Sequence, residues 1–371
     1  MSGERGRVRA RVVRPGELSA REIEVWRELR ARSGVPANPF MEPEFTLAVG
    51  RARARTARVA VLRGDGEEPL GFLPYERTRF GGARAIGYGV SDCQGAVLRP
   101  GSGLSARELL RGCGIFAFEF DNLEDGQGAL SEGVVESFSS PVIDVSGGYA
   151  AYEAWLRRHS PKFLRTTLAK ERKLGRESGD GLRFVFDERD PAALRTLMGW
   201  KSAQYRRTGR RDRFAQEWIS RLVRDLHQAA PGGRSGVLSV LYAGERPVAA
   251  HFGLRSRTVL SCWFPAYDPD FRRYSPGLVL HLRMAEAAAR EGIGLLDLGR
   301  GDAEYKDSLR TGALAVHEGA CVRPGVRSGV RWIGREPVRR AHSFVRNRRA
   351  LAGHARRVLN HVGRFRGGTQ G

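Results

Sequence analysis

Two guanidiniums, Arg272 and Arg273, stand just ahead of Ser275-Pro276-Gly277, a triplet with the form of a helix start. Ser accepts a backbone N–H as N-cap, and Pro at the first helical position gives up a donor that had no partner. The free N–H groups of a first turn, with the helix dipole, favour an anion. Gly277 adds no side chain to hold a pyrophosphate away, and Leu278 opens the apolar stripe behind it. Some twenty residues on, Gly299-Arg300-Gly301-Asp302 and Tyr305-Lys306 bring a phenol and an ammonium to a glycine-flanked turn at a strand end, the form of an active-site rim. Lys306 could neutralise a phosphate or a developing oxyanion; a solvated lysine is the structural alternative. Asp297, at the carboxyl end of a predicted strand, could bind an acceptor, act as base, cap the next helix or pair with Lys306. His251 sits on an interior strand and would titrate near neutrality, or be a core histidine. Lys201, Gln204 and Tyr205 fall at i, i+3, i+4, one helical face that would line a cleft or meet solvent.

These residues need a strand–helix–strand unit to place them. Ser261–Ala266 alternates as a strand, and Leu278, Leu282, Ala285 and Ala289 repeat at helical spacing. Gly292 stops the helix, and Leu295-Leu296-Asp297-Leu298 is a short buried strand that must lie parallel to the first. Upstream, the order reads β (8–13), α (19–32), α (43–52), β (57–63), β (69–76), β (84–89), α (104–112), β (115–120). A connection follows: Pro141–Val145 and helices near 148–158 and 162–177. The order then recurs as β (182–186), α (191–207), α (214–230), β (236–242), β (247–254), β (258–265), α (276–291), β (294–298). One element order met twice, about 175 residues apart, reads as an internal duplication.

The chain has 371 residues, 41% of them hydrophobic, enough for two domains with a sizeable core. No apolar run approaches the roughly 20 residues of a membrane helix, and the basic N-terminus lacks the apolar core of a secretory signal. The four cysteines are scattered, so neither a zinc site nor a disulfide framework is expected. No P-loop, His-Glu-x-x-His or Gly-x-Ser-x-Gly occurs, against nucleotide hydrolase, zinc protease and α/β-hydrolase chemistry. The net charge of +22 rests on arginine, with only five lysines among 63 basic residues. Such a charge makes nucleic acid, anionic lipid and phosphorylated substrates the candidate partners without choosing among them. Residues 331–371 carry eleven arginines against one acid and read as a basic amphipathic tail, either lying on an anionic membrane surface or packing on the body.

The element order, with a phosphate-facing turn before the long helix, resembles the GNAT acyltransferase fold. In that superfamily the turn carries Arg/Gln-x-x-Gly-x-Gly/Ala and holds the pyrophosphate of acyl-CoA. Arg272-x-x-Ser275-x-Gly277 is similar, with Ser in place of the first Gly. More narrowly, residues 35–315 resemble the CelD-like acetyltransferases associated with bacterial cellulose biosynthesis, tandem GNAT proteins related to the FemAB peptidyltransferases. The resemblance rests on Asn38-Pro39-Phe40 with Glu44-Phe45; Lys201, Gln204, Tyr205 and Gly209; Val248-Ala249-Ala250-His251; Ala266-Tyr267-Asp268-Pro269; Ser275-Pro276-Gly277; and Asp297-x-Gly299-x-Gly301-x-x-x-Tyr305-Lys306. It implies an acyl-CoA co-substrate, no metal, and Tyr305 as the acid for the leaving thiolate.

The expectation is a mixed-sheet α/β protein of tandem GNAT-like domains, 1–140 and a catalytic 141–325, with a basic helical tail over 326–371. Its expected activity is acyl transfer from acyl-CoA to an amine or hydroxyl of a small or sugar-like acceptor, in polysaccharide or envelope biosynthesis. The expected catalytic groups are Tyr305, Lys306, Asp297 and His251. Arg272, Arg273, Ser275, Gly277 and Leu278 would hold CoA; Lys201, Gln204, Tyr205, Gly299 and Gly301 would hold the acceptor. A FemAB-type transferase using aminoacyl-tRNA is the alternative enzyme, and a non-catalytic basic protein binding nucleic acid or membrane is the alternative class. The expected location is the cytoplasm, either free or peripheral at the inner membrane face.

Overall fold

The computed structural model describes residues 8–64, 66, 68–229, 236–301 and 303–323; the tail expected over 326–371 lies outside them. The first half runs β1 (Arg9–Val13), α1 (Ala20–Ala31), α2 (Pro43–Ala52), β2 (Ala57–Arg63), β3 (Pro69–Arg77), β4 (Ala83–Ala85), β5 (Val97–Leu98), α3 (Ala106–Gly112) and β6 (Ala117–Glu124). A long strand, β7 (Val134–Asp144), and two helices, α4 (Tyr149–His159) and α5 (Pro161–Glu177), follow. The second half repeats the order: β8 (Leu182–Val185), α6 (Pro191–Arg207), α7 (Glu217–Gln228), β9 (Gly236–Ala243), β10 (Arg246–Arg255), β11 (Val259–Tyr267), α8 (Pro276–Arg290) and β12 (Leu295–Asp297). It ends with α9 (Glu304–Leu309) and β13 (Gly312–Val322).

Local chemistry accounts for the element ends. Ser19 and Glu22 form a capping box at the start of α1. Asp190 accepts the Ala192 N–H ahead of Pro191, opening α6. Gly209, at φ +65°, takes the left-handed conformation that stops α6 and turns the chain.

Among the described residues thirteen strands join one mixed sheet, ordered β1-β2-β3-β4-β6-β13-β7-β12-β11-β10-β9-β8, with β5 set beside β3. The order is close to a palindrome: β1 to β4 and β6 on one side mirror β8 to β12 on the other. As expected for the strand–helix–strand unit, β11 and β12 are parallel, and so are β4 and β6. The centre departs from the sequence reading. Pro141–Val145 is not a connection but largely the end of the eleven-residue β7, and β13 was not foreseen. β7 leaves the first half to pair antiparallel with β12, while β13 leaves the second half to lie beside β6. The halves have exchanged their last strands.

Packing joins them further. On one sheet face a single core merges Trp26, Phe40, Phe45 and Val49 of the first half with Leu197, Ile219, Leu222 and Phe264 of the second. On the other face each half keeps its own: Leu109, Leu110 and Phe118 in one, Val279, Leu282 and Met284 in the other. Thus α6 and α8 flank the β11 region from opposite faces. Among the described residues no helix is long and apolar enough to cross a membrane.

Candidate active site

Where β11 and β12 end, between α6, α8 and α9, a cavity of about 910 Å³ opens. One end of it is built by the turn into α8. A short turn of helix, Pro269–Tyr274, leads to Ser275, the one described non-glycine residue with positive φ, +51°. Ser275 therefore does not cap α8 with its side chain, contrary to the sequence reading. Its Oγ instead accepts a 2.8 Å hydrogen bond from the Lys170 ammonium of α5. Arg272, Ser275, Gly277 and Leu278 line the cavity. Arg273 does not: its guanidinium binds Glu177 at 3.1 Å and the Tyr274 hydroxyl. A Cβ on Gly277 would meet only Tyr267, at an ordinary 3.7 Å, so the space it leaves faces the cavity rather than a crowded wall.

The opposite end is formed by α6 and the segment after it. Lys201, Gln204 and Tyr205 share one face of α6 and line the cavity with Arg210, Arg211 and Arg213. The Lys201 ammonium donates to the Pro265 carbonyl at 2.8 Å. Burial, then repulsion from Arg210, Arg213 and Lys306, lowers its pKa to about 8.

The floor comes from the β12–α9 turn. Gly299 and Gly301, at φ +72° and +133°, carry a backbone that L side chains rarely adopt. The Lys306 ammonium closes this turn by donating to the Gly299 carbonyl at 2.7 Å, so it is tied to backbone rather than solvated. Tyr305 faces the cavity, and burial pushes its phenol up to about 12, which keeps it protonated in neutral solution. His281, absent from the sequence-based set, stands beside it with ring centroids 5.5 Å apart. Its Nδ1 pairs with the Gly277 carbonyl at 2.6 Å and its Nε2 is buried without a partner; burial lowers its pKa.

Two expected catalytic groups lie beneath the cavity. Asp297 is saturated: Ser140 Oγ donates at 2.5 Å, Asn38 Nδ2 at 3.0 Å and the Gly299 N–H at 3.0 Å. It neither lines the cavity nor pairs with Lys306; it clamps β7, the Asn38 turn and the floor to one point. Its pKa is raised by burial, against those three hydrogen bonds. His251 is fully buried, with its ring 6.1 Å from that of His281. Burial holds it well below the usual histidine range, so it does not titrate near neutrality, and it does not line the cavity.

The first half supplies what the sequence did not disclose. Among the described residues Asp92, on the loop after β4, is the one carboxylate lining this cavity, and it makes no hydrogen bond with them. Burial, then the negative field of Asp297, raises its pKa to about 7. The loop is anchored where Trp263 Nε1 donates to the Val90 carbonyl at 2.7 Å, with Phe40 edge-on to the same indole. The mouth of α3, equivalent to that of α8, is closed by its own acid: Glu108 accepts from both the Ser105 N–H and Oγ. At that end a carboxylate sits over the start of the helix, where the start of α8 has no side-chain cap.

The order of elements and the mixed sheet are those of the GNAT fold. Residues 162–307 match the family described as the acetyltransferase (GNAT) domain. No curated protein matches the sequence. Among solved structures the chain is similar to FemX, with TM-score 0.56 and 11% identity over 84% of this chain and 96% of that one. It is similar also to the C-terminal domain of a proposed lysylphosphatidylglycerol synthetase from Agrobacterium fabrum: TM-score 0.50, 13% identity, 85% of this chain and 95% of that one. A conserved protein of unknown function from Bacteroides thetaiotaomicron aligns at TM-score 0.52 and 10% identity, covering 81% and 97% of the two chains. At such identities these likenesses establish the fold.

Proposed function

We propose that the protein transfers an acyl group from acyl-CoA to an amine of a small acceptor. One observation carries this reading: a single cavity joins a helix mouth without a side-chain cap, Arg272, a protonated phenol and the Asp92 carboxylate. Bound at that mouth, acyl-CoA supplies a thioester open to nucleophilic attack, with a thiolate to leave. The first turn of α8 and Arg272 hold the pyrophosphate, and the Lys170 ammonium at Ser275 adds positive charge beside it. Asp92, poised at about 7, takes the proton that the amine gives up as the C–N bond forms. Tyr305 gives its proton to the sulfur as the C–S bond breaks. Lys306 keeps the Gly299 turn in place, and Asp297 keeps that turn on the sheet. Holding both reactants in one cavity supplies effective molarities of about 10⁵ M or more. An acceptor from polysaccharide or envelope biosynthesis fits this reading.

Calorimetric titration with acetyl-CoA and CoA tests it. Wild type should bind one equivalent, Arg272→Ala should weaken binding tenfold or more, and Arg273→Ala less than twofold, since Glu177 already holds that side chain. No binding to wild type at millimolar CoA refutes the donor assignment and makes aminoacyl-tRNA the next titrant.

A further inference from the structure

We infer that the α6 side of the cavity is a second anion site, and that the acceptor is a phosphate-bearing amine. The inference rests on the acyl-transfer reading for the word acceptor; the site itself rests on geometry. Lys201, Arg210, Arg211 and Arg213 share one wall. Among the described residues the three guanidiniums make no ion pair or hydrogen bond. Elsewhere in this arginine-rich chain cavity-free arginines are often matched, as Arg27 is by Glu44, Arg283 by Glu171 and Arg246 by Asp268. The one acid in the segment, Asp212, is turned inward, accepting from Ser202 Oγ at 3.1 Å and the Phe214 N–H at 3.0 Å.

Four like charges around a partly enclosed space repel one another, and the repulsion grows as water is excluded. Asp92, on the same cavity and in the field of Arg213, offsets at most one of them, and a bound anion would offset the others. A carboxylate offsets one of them; a phosphate dianion offsets two, and arginine forks match its oxygens. Gln204, between Lys201 and Tyr205, points the same way, because its buried Oε1 has no partner and can accept from a hydroxyl or amide of a ligand. The wall is not the donor's phosphate site, since α6 and α8 pack on opposite faces of the sheet. A ligand held here by its phosphate enters from the α6 face and meets Asp92 with its amine.

The test is calorimetric titration of CoA-saturated protein with inorganic pyrophosphate. One further equivalent should bind. The triple variant Arg210→Ser/Arg211→Ser/Arg213→Ser should raise the pyrophosphate Kd at least tenfold while the CoA Kd stays within twofold, and Lys201→Gln should weaken pyrophosphate alone. Arg210 and Arg211 are exposed, so the fold should tolerate their loss. Failure of pyrophosphate to bind the CoA-loaded protein, or a triple variant that loses CoA instead, overturns the second site. If CoA itself does not bind, the same titration on the free protein still reads the wall: loss in the triple variant and not in Arg272→Ala upholds it, and the reverse overturns it.

Discussion

Asp92 couples the site to pH in two ways. In the folded protein its proton is held more tightly than in the unfolded chain, so ionisation opposes folding. This contribution to stability is full below the unfolded carboxyl value and is lost as pH rises to about 7. Asp92→Asn should therefore gain stability relative to wild type between pH 5 and pH 8, as urea unfolding at the two pH values would show. The same variant should lose about 10²–10⁴-fold in kcat/KM. Wild-type kcat/KM should rise through pH 7, an inflection missing in Asp92→Asn. Equal pH dependence in both proteins would remove Asp92 from the chemistry. At this scale the sequence was legible where a residue type and a local spacing sufficed: Arg272, Tyr305, Lys306 and the Lys201-Gln204-Tyr205 face all line the cavity. It was not legible for Asp92, whose loop has no periodicity and which reaches the site by a fold-level crossing some two hundred residues along the chain. Asp297 and His251 stood out as polar residues in apolar strands, but a strand's sequence does not say whether its polar position faces ligand or clamp.

At the scale of elements, the turn into α8 carries a conformational cost. A non-glycine residue in the left-handed region costs roughly 1–2 kcal/mol, and Ser275 gains only one part-buried bond from Lys170 in return. Ser275→Gly should stabilise the protein by about 0.5–1 kcal/mol, having shed that cost. Ser275→Ala keeps the backbone strain, loses the bond and should destabilise by about 0.5–1 kcal/mol. Thermal unfolding of the pair distinguishes this from an ordinary N-cap, where both changes would destabilise and Ala would be the worse. The expected helix position was sound because Pro276 and the apolar stripe fix it. The capping role was not, because the φ of Ser275 is set by the turn from β11 and not by its own side chain.

At the scale of the molecule, the exchange of β7 and β13 makes the halves mutually dependent. Chemical denaturation should give one cooperative transition, by tryptophan fluorescence and by circular dichroism alike; two separable transitions would contradict the continuous sheet. The duplicated order was legible, since hydrophobic periodicity reports each element. The exchange was not, because pairing of β7 with β12 depends on a partner that no local pattern names. Two separate chains built this way would come apart on dilution, taking Asp92 away from Tyr305. Joined in one chain, each borrowed strand meets its place at an effective concentration on the order of millimolar. The complete site should thus persist at nanomolar protein, with specific activity unchanged across a thousandfold dilution.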